Sequence, residues 1–342
     1  DGYAGLKEAK IKITKNGVTL KYVVTNDIQD AQVRILKKDA ETKKMIPLSG
    51  AQFQILDQNG DALKMPDNRD FTKVSDVFTT NEQGIISLTR ALKKGSYTLK
   101  EVKAPEGYLL AAGLTFEVSG KHSYLDPLEV VCYDVPQKGR IQIVKLDQEN
   151  GKQLGEGYTF EVSVAKEVVN ADGEIRTMQV DGKETALTEG IVVAKIQTDE
   201  NGVAQSPELY LGDYVVTETA AAEHYAVSGQ EYPVSLTYDA QVETVTVKLQ
   251  VEDVKTSVDI LKVDAEEDMP HAGIHFRMFT SKELDEAGGT VDHLDKEVLQ
   301  SLGTEYITDE NGRIHIEDLT HDTVYYIFEC ETQPGYHLEQ QL

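Results

Sequence analysis

The chain has 342 residues, of which 40% are hydrophobic, and its formal net charge is −25 at pH 7. The length predicts two to three domains, and the charge predicts a soluble, acidic surface that repels phosphate backbones and anionic lipid headgroups. We therefore expect no nucleic-acid binding and no membrane contact, and no stretch approaches the roughly 18 apolar residues of a membrane helix.

In chain order, residues 1–28 resemble the closing strands of a preceding repeat. Leu20, Tyr22 and Val24 alternate along one strand face and lead to Asn26. Within the 342 residues themselves we recognise neither a signal peptide nor an anchoring tail. If the protein is exported, we expect this chain to be an internal fragment of it.

After residue 28, four short blocks recur three times in the same order. The first is an alternating strand that ends in Lys-x-Asp, at Val33–Asp39, Ile141–Asp147 and Val258–Asp264. The second is Gly-x-x-Phe, at Gly50–Phe53, Gly157–Phe160 and Gly273–Phe276. The third is a turn ending in glycine, at Thr80–Gly84, Thr198–Gly202 and Thr308–Gly312. The fourth places Glu four residues after one Tyr and seven before another, at Tyr97–Tyr108, Tyr214–Tyr225 and Tyr325–Tyr336.

The lysines of the first block are 108 and 117 residues apart, which is the size of an Ig-like sandwich domain. We predict an all-β chain of tandem Ig-like β-sandwich domains arranged as a stalk. The domains are 29–136, 137–254 with an extra hairpin within Ala165–Lys195, and 255–342, which is truncated at its C-terminal end. Ser281–Leu302 is predicted to hold a short helix or a polar loop.

Strand alternation places polar residues on apolar faces in every repeat. The lysines are Lys37, Lys145 and Lys262. The glutamates are Glu101, Glu218 and Glu329. In the closing strands the same alternation selects Asp134 and Asp253 over their neighbours.

Two interpretations of these buried groups stay open. The first is a buried ion network, or residues that reach solvent at strand ends. The second is covalent chemistry, because burial lowers the pKa of a lysine, raises that of a carboxyl, and a neutral amine is a nucleophile. A protonated glutamate could hydrogen-bond the acceptor carbonyl and carry protons, and the resulting amide is uncharged.

The segment Tyr97–Tyr108 reads YTLKEVKAPEGY and closely resembles the pilin E-box, YxLxETxAPxGY, with Val102 in place of its Thr. Together with the Lys-x-Asp strands, it is similar to the Cna-B or SpaA-type domains of Gram-positive surface proteins and pilins. The resemblance implies prealbumin-like sandwiches, autocatalytic Lys–Asp or Lys–Asn isopeptide bonds, export, and cell-wall anchoring. Sortase and peptidoglycan would then be partners through a missing C-terminal region.

Carried over by motif, the resemblance implies two complete triads and one incomplete set. The complete triads are Lys37–Glu101–Asp134 and Lys145–Glu218–Asp253, whereas Lys262 and Glu329 have no acceptor. The chain departs from the family because its acceptors are Asp rather than the usual Asn, which only Asn26 matches. The middle repeat also lacks the Pro and Gly of the E-box.

The favoured function is a structural stalk of an adhesin or pilin-like surface protein, and we predict no enzyme activity beyond self-modification. A pilus shaft is less favoured, because a YPKN-like motif is absent. Alternatively, the repeats bind a host matrix protein or glycan, and the two insertions are where we expect such binding. The same ligand could instead be bound by other domains of the protein.

A conventional enzyme is disfavoured because the eight His are scattered and neither GxSxG nor HExxH occurs. We expect no metal and no cofactor. The two cysteines, Cys132 and Cys330, lie about two repeats apart and are not expected to pair. In a secreted protein, some other link would then have to stabilise these small domains.

Overall fold

The structure is a computed structural model. Besides six single positions before residue 30, it describes residues 30–119, 122, 125–264, 269–288 and 296–331. The proposed acceptor Asn26 lies outside the described residues, and so does Tyr336 of the fourth block.

The first group of strands forms a β-sandwich. Its strands are β1 (Asp30–Ala31), β2 (Val33–Asp39), β3 (Gln52–Leu56), β4 (Met65–Pro66), β5 (Val74–Ser75), β6 (Phe78–Thr79), β7 (Ile85–Ser87), β8 (Leu92–Lys93), β9 (Gly95–Lys103), β10 (Leu114–Val118) and β11 (Leu128–Asp134). A sheet of order β11-β2-β7 and a sheet of order β10-β9-β3-β6 contribute alternate residues to one apolar core. Examples from the two sheets are Ile35 and Phe53.

The second group repeats this arrangement with an addition. Its strands are β12 (Lys138–Asp147), β13 (Thr159–Val164), β14 (Thr177–Val180), β15 (Lys183–Ala186), β16 (Val192–Gln197), β17 (Val203–Gln205), β18 (Leu209–Tyr210), β19 (Gly212–Ala220), β20 (Glu231–Leu236) and β21 (Thr244–Asp253). One sheet joins β12 to β17, β18 and β21, and the other has the order β16-β13-β19-β20. The added element is the β14–β15 hairpin, within the predicted insertion.

The third group is smaller within the described part of the chain. It contains β22 (Val258–Leu261), β23 (His275–Thr280), α1 (Ser281–Glu286), α2 (Lys296–Leu299), β24 (Thr304–Ile307), β25 (Arg313–Ile316) and β26 (Tyr325–Glu331). Its sheets are β22-β25 and β24-β23-β26. Both helices lie within the predicted insertion 281–302, and Thr280 and Glu283 form a capping box at the start of α1.

In both complete groups the closing strand runs parallel to the opening strand. β11 pairs with β2 from Leu128 opposite Val33 to Asp134 opposite Asp39, and β21 pairs with β12 along its whole length. The first and last strands of each sandwich are therefore neighbours, which brings residues far apart in sequence together.

The turn block fixes the opening strand from its other side. The backbone N–H of Lys37 donates to the carbonyl of Gly84 at 2.9 Å, and that of Lys145 donates to Gly202 at 2.9 Å. Gly84 has a φ of 72°, and a Cβ there would collide with the carbonyl of Ile46. Glycine is therefore required where this turn backs onto the lysine-bearing strand.

The all-β fold prediction is confirmed, because 26 strands and only two short helices occur in the described residues. Each group of strands pairs only within itself in that part of the chain. The exact domain boundaries stay a prediction.

Candidate functional site

The first candidate site is a fully buried lysine beside two buried carboxyls. Lys37 and Asp134 are 0% exposed and Glu101 is 3% exposed. Lys37 Nζ lies 2.7 Å from Glu101 Oε1 and contacts Asp134 Oδ1 directly. The structure therefore brings the first predicted triad together inside the sandwich core.

Strand register explains how Asp134 reaches the lysine. In the parallel pair, Lys37 lies opposite Cys132, and Asp134 is two residues further along on the same face. In the second repeat, Lys145 lies opposite Val251, and Asp253 is again two residues further. The two sites are therefore built with the same register.

A β-bulge places the glutamate in each repeat. The register between β3 and β9 shifts just before Phe53, which pairs with Glu101. Equivalent register shifts come just before Phe160, which pairs with Glu218, and just before Phe276, which pairs with Glu329. A bulge changes the direction of the side chains beside it, and here it lies at the Gly-x-x-Phe block. This explains why that block recurs with the glutamate.

Glu101 is held from two sides. Its Oε2 accepts a hydrogen bond from the backbone N–H of Ala111 at 2.7 Å, which leaves Oε1 facing Lys37. The ammonium of Lys37 also lies 5.0 Å from the centre of the Phe53 ring, a cation–π contact. The lysine is thus surrounded by an aromatic face and two carboxyls without access to water.

The second site repeats this geometry. Lys145 is fully buried, its Nζ lies 2.7 Å from Glu218 Oε1, and it contacts Asp253 Oδ1 directly. The backbone N–H of Ser228 donates to Glu218 Oε2 at 3.3 Å. The Tyr158 ring lies 5.0 Å from the lysine. The loss of the E-box Pro and Gly in this repeat does not alter the positions of the three groups.

The third site is more open. Lys262 Nζ lies 2.9 Å from Glu329 Oε2, but the side chain of Lys262 is 30% exposed. Within the described residues β22 pairs only with β25, so no acceptor carboxyl is placed beside this lysine by a closing strand. The structure brings two of the three group types together here.

The pKa values of the first site reflect a shared charge. Burial raises the pKa of Asp134 to about 7, and Glu101 adds to the shift while Lys37 opposes it. In the second site, burial raises the pKa of Glu218, Lys145 opposes the shift, and Asp253 adds to it. In each site the ammonium and the two carboxyls together have no net charge when the carboxyls share one proton. The pKa values therefore describe each pair of carboxyls and not a single residue.

Burial lowers the pKa of Lys37, as expected, but the net shift of that pKa is upward. Burial does favour its neutral form, but the charges of Asp134 and Glu101 outweigh that effect and raise the pKa of Lys37. The amine therefore becomes nucleophilic only when a neighbouring carboxylate removes its proton. Glu101 Oε1, 2.7 Å from Lys37 Nζ, lies close enough to accept that proton.

Two motif residues that sequence reasoning did not assign hold the strand end next to the site. Tyr108 Oη donates to Asp39 Oδ2 at 3.0 Å, and Tyr225 Oη donates to Asp147 Oδ2 at 2.9 Å. These are the last Tyr of the fourth block and the Asp of Lys-x-Asp. Each recurs at a constant place in its own block, the Tyr seven residues after the Glu and the Asp two after the Lys, and this recurrence was the signal for the contact.

Sequence reasoning also missed Cys132 as a residue of the first site, where Lys37 Nζ lies 3.4 Å from its Sγ. Glu101, Cys132 and Asp134 place one ligand atom each within 4.8 Å of one another. The Lys37 ammonium contacts all three residues and already supplies the positive charge that a metal ion would bring. We therefore interpret the cluster as part of the lysine site.

None of the described helices is both long and apolar enough to cross a membrane. Cys132 and Cys330 are both buried and form no disulfide in the described part of the chain.

Comparison with known proteins identifies the domains. The model of the SpaA prealbumin-like fold domain matches residues 31–126, 139–251 and 256–342. No curated protein matches the chain. Among solved structures, the TIE protein of Bacillus anthracis is 22% identical with a TM-score of 0.50, and the match covers 93% of this chain but 48% of that one. At this identity the likeness shows the fold alone.

Two pilins also match across most of their length. A streptococcal ancillary pilin is 20% identical over 92% of this chain and 93% of its own, with a TM-score of 0.31. The major pilin subunit of Bacillus cereus is 14% identical over 88% of each chain, with a TM-score of 0.38. The family model matches three successive stretches that together cover most of the sequence. The resemblance is therefore confirmed, and the chain belongs to the SpaA family of prealbumin-like fold domains.

Proposed function

We propose that the chain is a set of pilin-like structural repeats from the stalk of a Gram-positive cell-surface protein. In this proposal the first two repeats cross-link themselves through Lys37–Asp134 and Lys145–Asp253 isopeptide bonds. Family membership supports the structural role, as well as an extracellular location and attachment to the cell wall through other parts of the protein.

One observation carries the proposal, namely that two separate sandwiches bury the same triad in the same register. Lys37 and Lys145 are both 0% exposed, and each contacts an aspartate two positions beyond its partner on the closing strand. A buried ion pair gives little net stability, because desolvation offsets the attraction. Conversion to a neutral amide removes that cost, which favours covalent chemistry over an ion network.

The reaction is a condensation within the site. Glu101 takes a proton from the Lys37 ammonium, and the neutral Nζ attacks Cγ of protonated Asp134. The new C–N bond forms as the C–OH bond breaks. Of the two protons that Nζ loses, one leaves with the hydroxyl as water and the other stays on Glu101. The site is uncharged before and after the reaction, and no outside reactant is needed.

The bond would restrain nearly a whole domain. Lys37 and Asp134 are 97 residues apart, so the cross-link closes a loop of almost the length of the sandwich. By analogy with a disulfide that closes a loop of this size, it would raise the free energy of unfolding by about 5 kcal/mol. A stalk without disulfides gains its resistance to unfolding in this way.

The proton-transfer role is tested by Glu101→Gln and Glu218→Gln, each analysed by mass spectrometry of peptides from the denatured chain. We expect Glu101→Gln to abolish only the Lys37–Asp134 peptide and Glu218→Gln only the Lys145–Asp253 peptide. The matched control is Glu129→Gln, because Glu129 is an exposed carboxylate on the closing strand β11. Cross-linked peptides that persist unchanged in both glutamine variants would refute the role.

A further inference from the structure

We propose that the β14–β15 hairpin region inserted in the second repeat clamps that repeat to the first, with Arg176 as the locking residue. The first two repeats then form one rigid unit, whereas the joint between the second and third repeats bends. The clamp forms whether or not the isopeptide bonds do. The insertion, which the sequence left as a candidate ligand-binding loop, then joins two repeats.

Arg176 crosses the boundary between the two repeats. Its side chain is 7% exposed, and its Nη2 donates to Asp39 Oδ2 of the first repeat at 3.0 Å. The same nitrogen lies 3.3 Å from Tyr108 Oη, and Nη1 lies 3.8 Å from Glu41 Oε2. A guanidinium buried this far is stable only while its partners stay in place.

In the first repeat, backbone hydrogen bonds hold the Asp39 carboxylate in position to bind this arginine. Asp39 Oδ1 accepts hydrogen bonds from the backbone N–H of Glu41 at 2.8 Å and of Thr42 at 2.9 Å. Burial raises the pKa of Asp39, but the backbone hydrogen bonds from Thr42 and Glu41 and the contact with Arg176 outweigh it and hold that pKa below its usual value. The carboxylate is therefore fixed in direction and charged when it meets the arginine.

Contacts around the arginine extend the interface. Glu41 accepts from Lys138 Nζ at 2.8 Å and from Tyr210 Oη at 2.6 Å, both in the second repeat. The Arg176 guanidinium lies 4.6 Å from the centre of the Tyr210 ring. One loop of the first repeat is thus bound at several points by the second.

Gln137 lies in the segment that connects the first two repeats and hydrogen-bonds to both of them. It is 1% exposed, and its side-chain amide donates to the carbonyls of Asp239 at 2.8 Å and Val242 at 2.6 Å. Its Oε1 accepts from the backbone N–H of Asp239 at 3.0 Å, while its own N–H donates to Gly107 of the first repeat at 2.9 Å. The linker is therefore attached to both repeats.

The joint between the second and third repeats has the equivalent Asp and Tyr but no arginine bound to them in the described residues. Asp147 and Tyr225 repeat the pair that receives the arginine, yet within the described residues no side chain of the third repeat hydrogen-bonds to Asp147. Nearby, Lys255 pairs with Asp318 at 2.9 Å and Glu317 at 3.7 Å, and the two acids are 56% and 42% exposed. These pairs lie within the third repeat and are exposed, so they restrain the joint little. The linker is held by backbone hydrogen bonds from Thr256 to His224 at 2.8 Å and from Leu319 to Thr256 at 3.1 Å. In the described part of the chain, however, no buried side chain crosses to the second repeat as Arg176 does to the first, so we expect this joint to bend more than the first.

The test measures the spread of distances between repeats in the full chain. Spin labels are attached at three equivalent exposed turn positions, through Glu82→Cys, Glu200→Cys and Glu310→Cys in pairs. The background carries Cys132→Val, which copies the residue of the second repeat, and Cys330→Ala. We expect a narrow distribution between the first and second repeats and a broad one between the second and third.

Arg176→Ala is expected to broaden the first distribution roughly twofold, and Glu41→Ala, made on the opposite side of the joint, to broaden it as well. Arg140→Ala is the matched control, because Arg140 forms an exposed pair with Glu208 within the second repeat. If Arg176→Ala disturbs folding of the hairpin, Glu41→Ala decides the question. A wild-type distribution as broad as that of the second joint, or one that folded Arg176→Ala and Glu41→Ala leave unchanged, would overturn the proposal.

Discussion

At the scale of single residues, the two buried lysine sites differ in one lining side chain. Cys132 faces Lys37 where Val251 faces Lys145. Burial raises the pKa of Cys132 to about 11, with Lys37 opposing the shift and the two carboxyls adding to it. The thiol therefore stays protonated and behaves as a small apolar group, so both lysines experience similar surroundings.

The raised pKa of Asp134 predicts how bond formation depends on pH. Only the protonated carboxyl is attacked by an amine, because a carboxylate is a poor electrophile. The reactive fraction of Asp134 therefore falls as the pH rises through about 7. We expect the Lys37–Asp134 bond to form more slowly at about pH 8 than at about pH 6.

This pH dependence is measured on chain made by cell-free synthesis, transferred to each buffer and sampled by peptide mass spectrometry. Glu101→Gln is the control, since it should yield no Lys37–Asp134 peptide at either pH. A bond that forms faster at the higher pH would mean that release of the lysine proton, and not protonation of Asp134, limits the rate.

At the scale of elements, the site depends on two features of strand geometry. The parallel register between β2 and β11 places Asp134 on the core face, and the bulge beside Phe53 turns Glu101 towards the same point. Because side chains alternate across a strand, a shift of one residue moves a group to the opposite face. The placement of the three groups is therefore specified by strand pairing as much as by residue type.

Register predicts which acceptors can react. Asp134→Asn keeps the acceptor in place and should still cross-link, with loss of ammonia instead of water. The double variant Tyr133→Asp with Asp134→Ala moves the acceptor to the exposed face, where Tyr133 is 44% exposed. This variant should not cross-link at this site. Intact mass, compared with the plain-sequence mass of each variant, should therefore show loss of ammonia for Asp134→Asn, which gives the same amide as the wild type, and no loss at this site for the double variant. A bond from the displaced aspartate would show that the register does not control the reaction.

Sequence patterns predicted much of this site and not all of it. Alternation selected the lysines, glutamates and aspartates, because the side-chain period of a strand is two. The bulge at Phe53 and the direction of the Lys37 pKa shift were not predictable, since both depend on neighbours brought together by folding. The hydrogen bond from Arg176 to Asp39 joins two repeats, and a pattern of neighbouring residues in the sequence cannot predict such a contact.

At the scale of the whole molecule, we propose that the chain is stiffened in two ways. The isopeptide bonds that we propose, Lys37–Asp134 and Lys145–Asp253, would join the first and last strands of each of the first two sandwiches. Arg176 and Gln137 then fix the angle between those sandwiches. The third repeat has Lys262 and Glu329 in contact but no acceptor within the described residues, so this chain should carry two bonds.

The intact mass of the denatured, reduced chain tests the central claim most directly. Each Lys–Asp bond removes one water, so we predict a mass lower than that of the plain sequence by two waters. The linked peptides should map to Lys37–Asp134 and Lys145–Asp253. A mass equal to that of the plain sequence would contradict the account and would mean that both triads are buried ion networks.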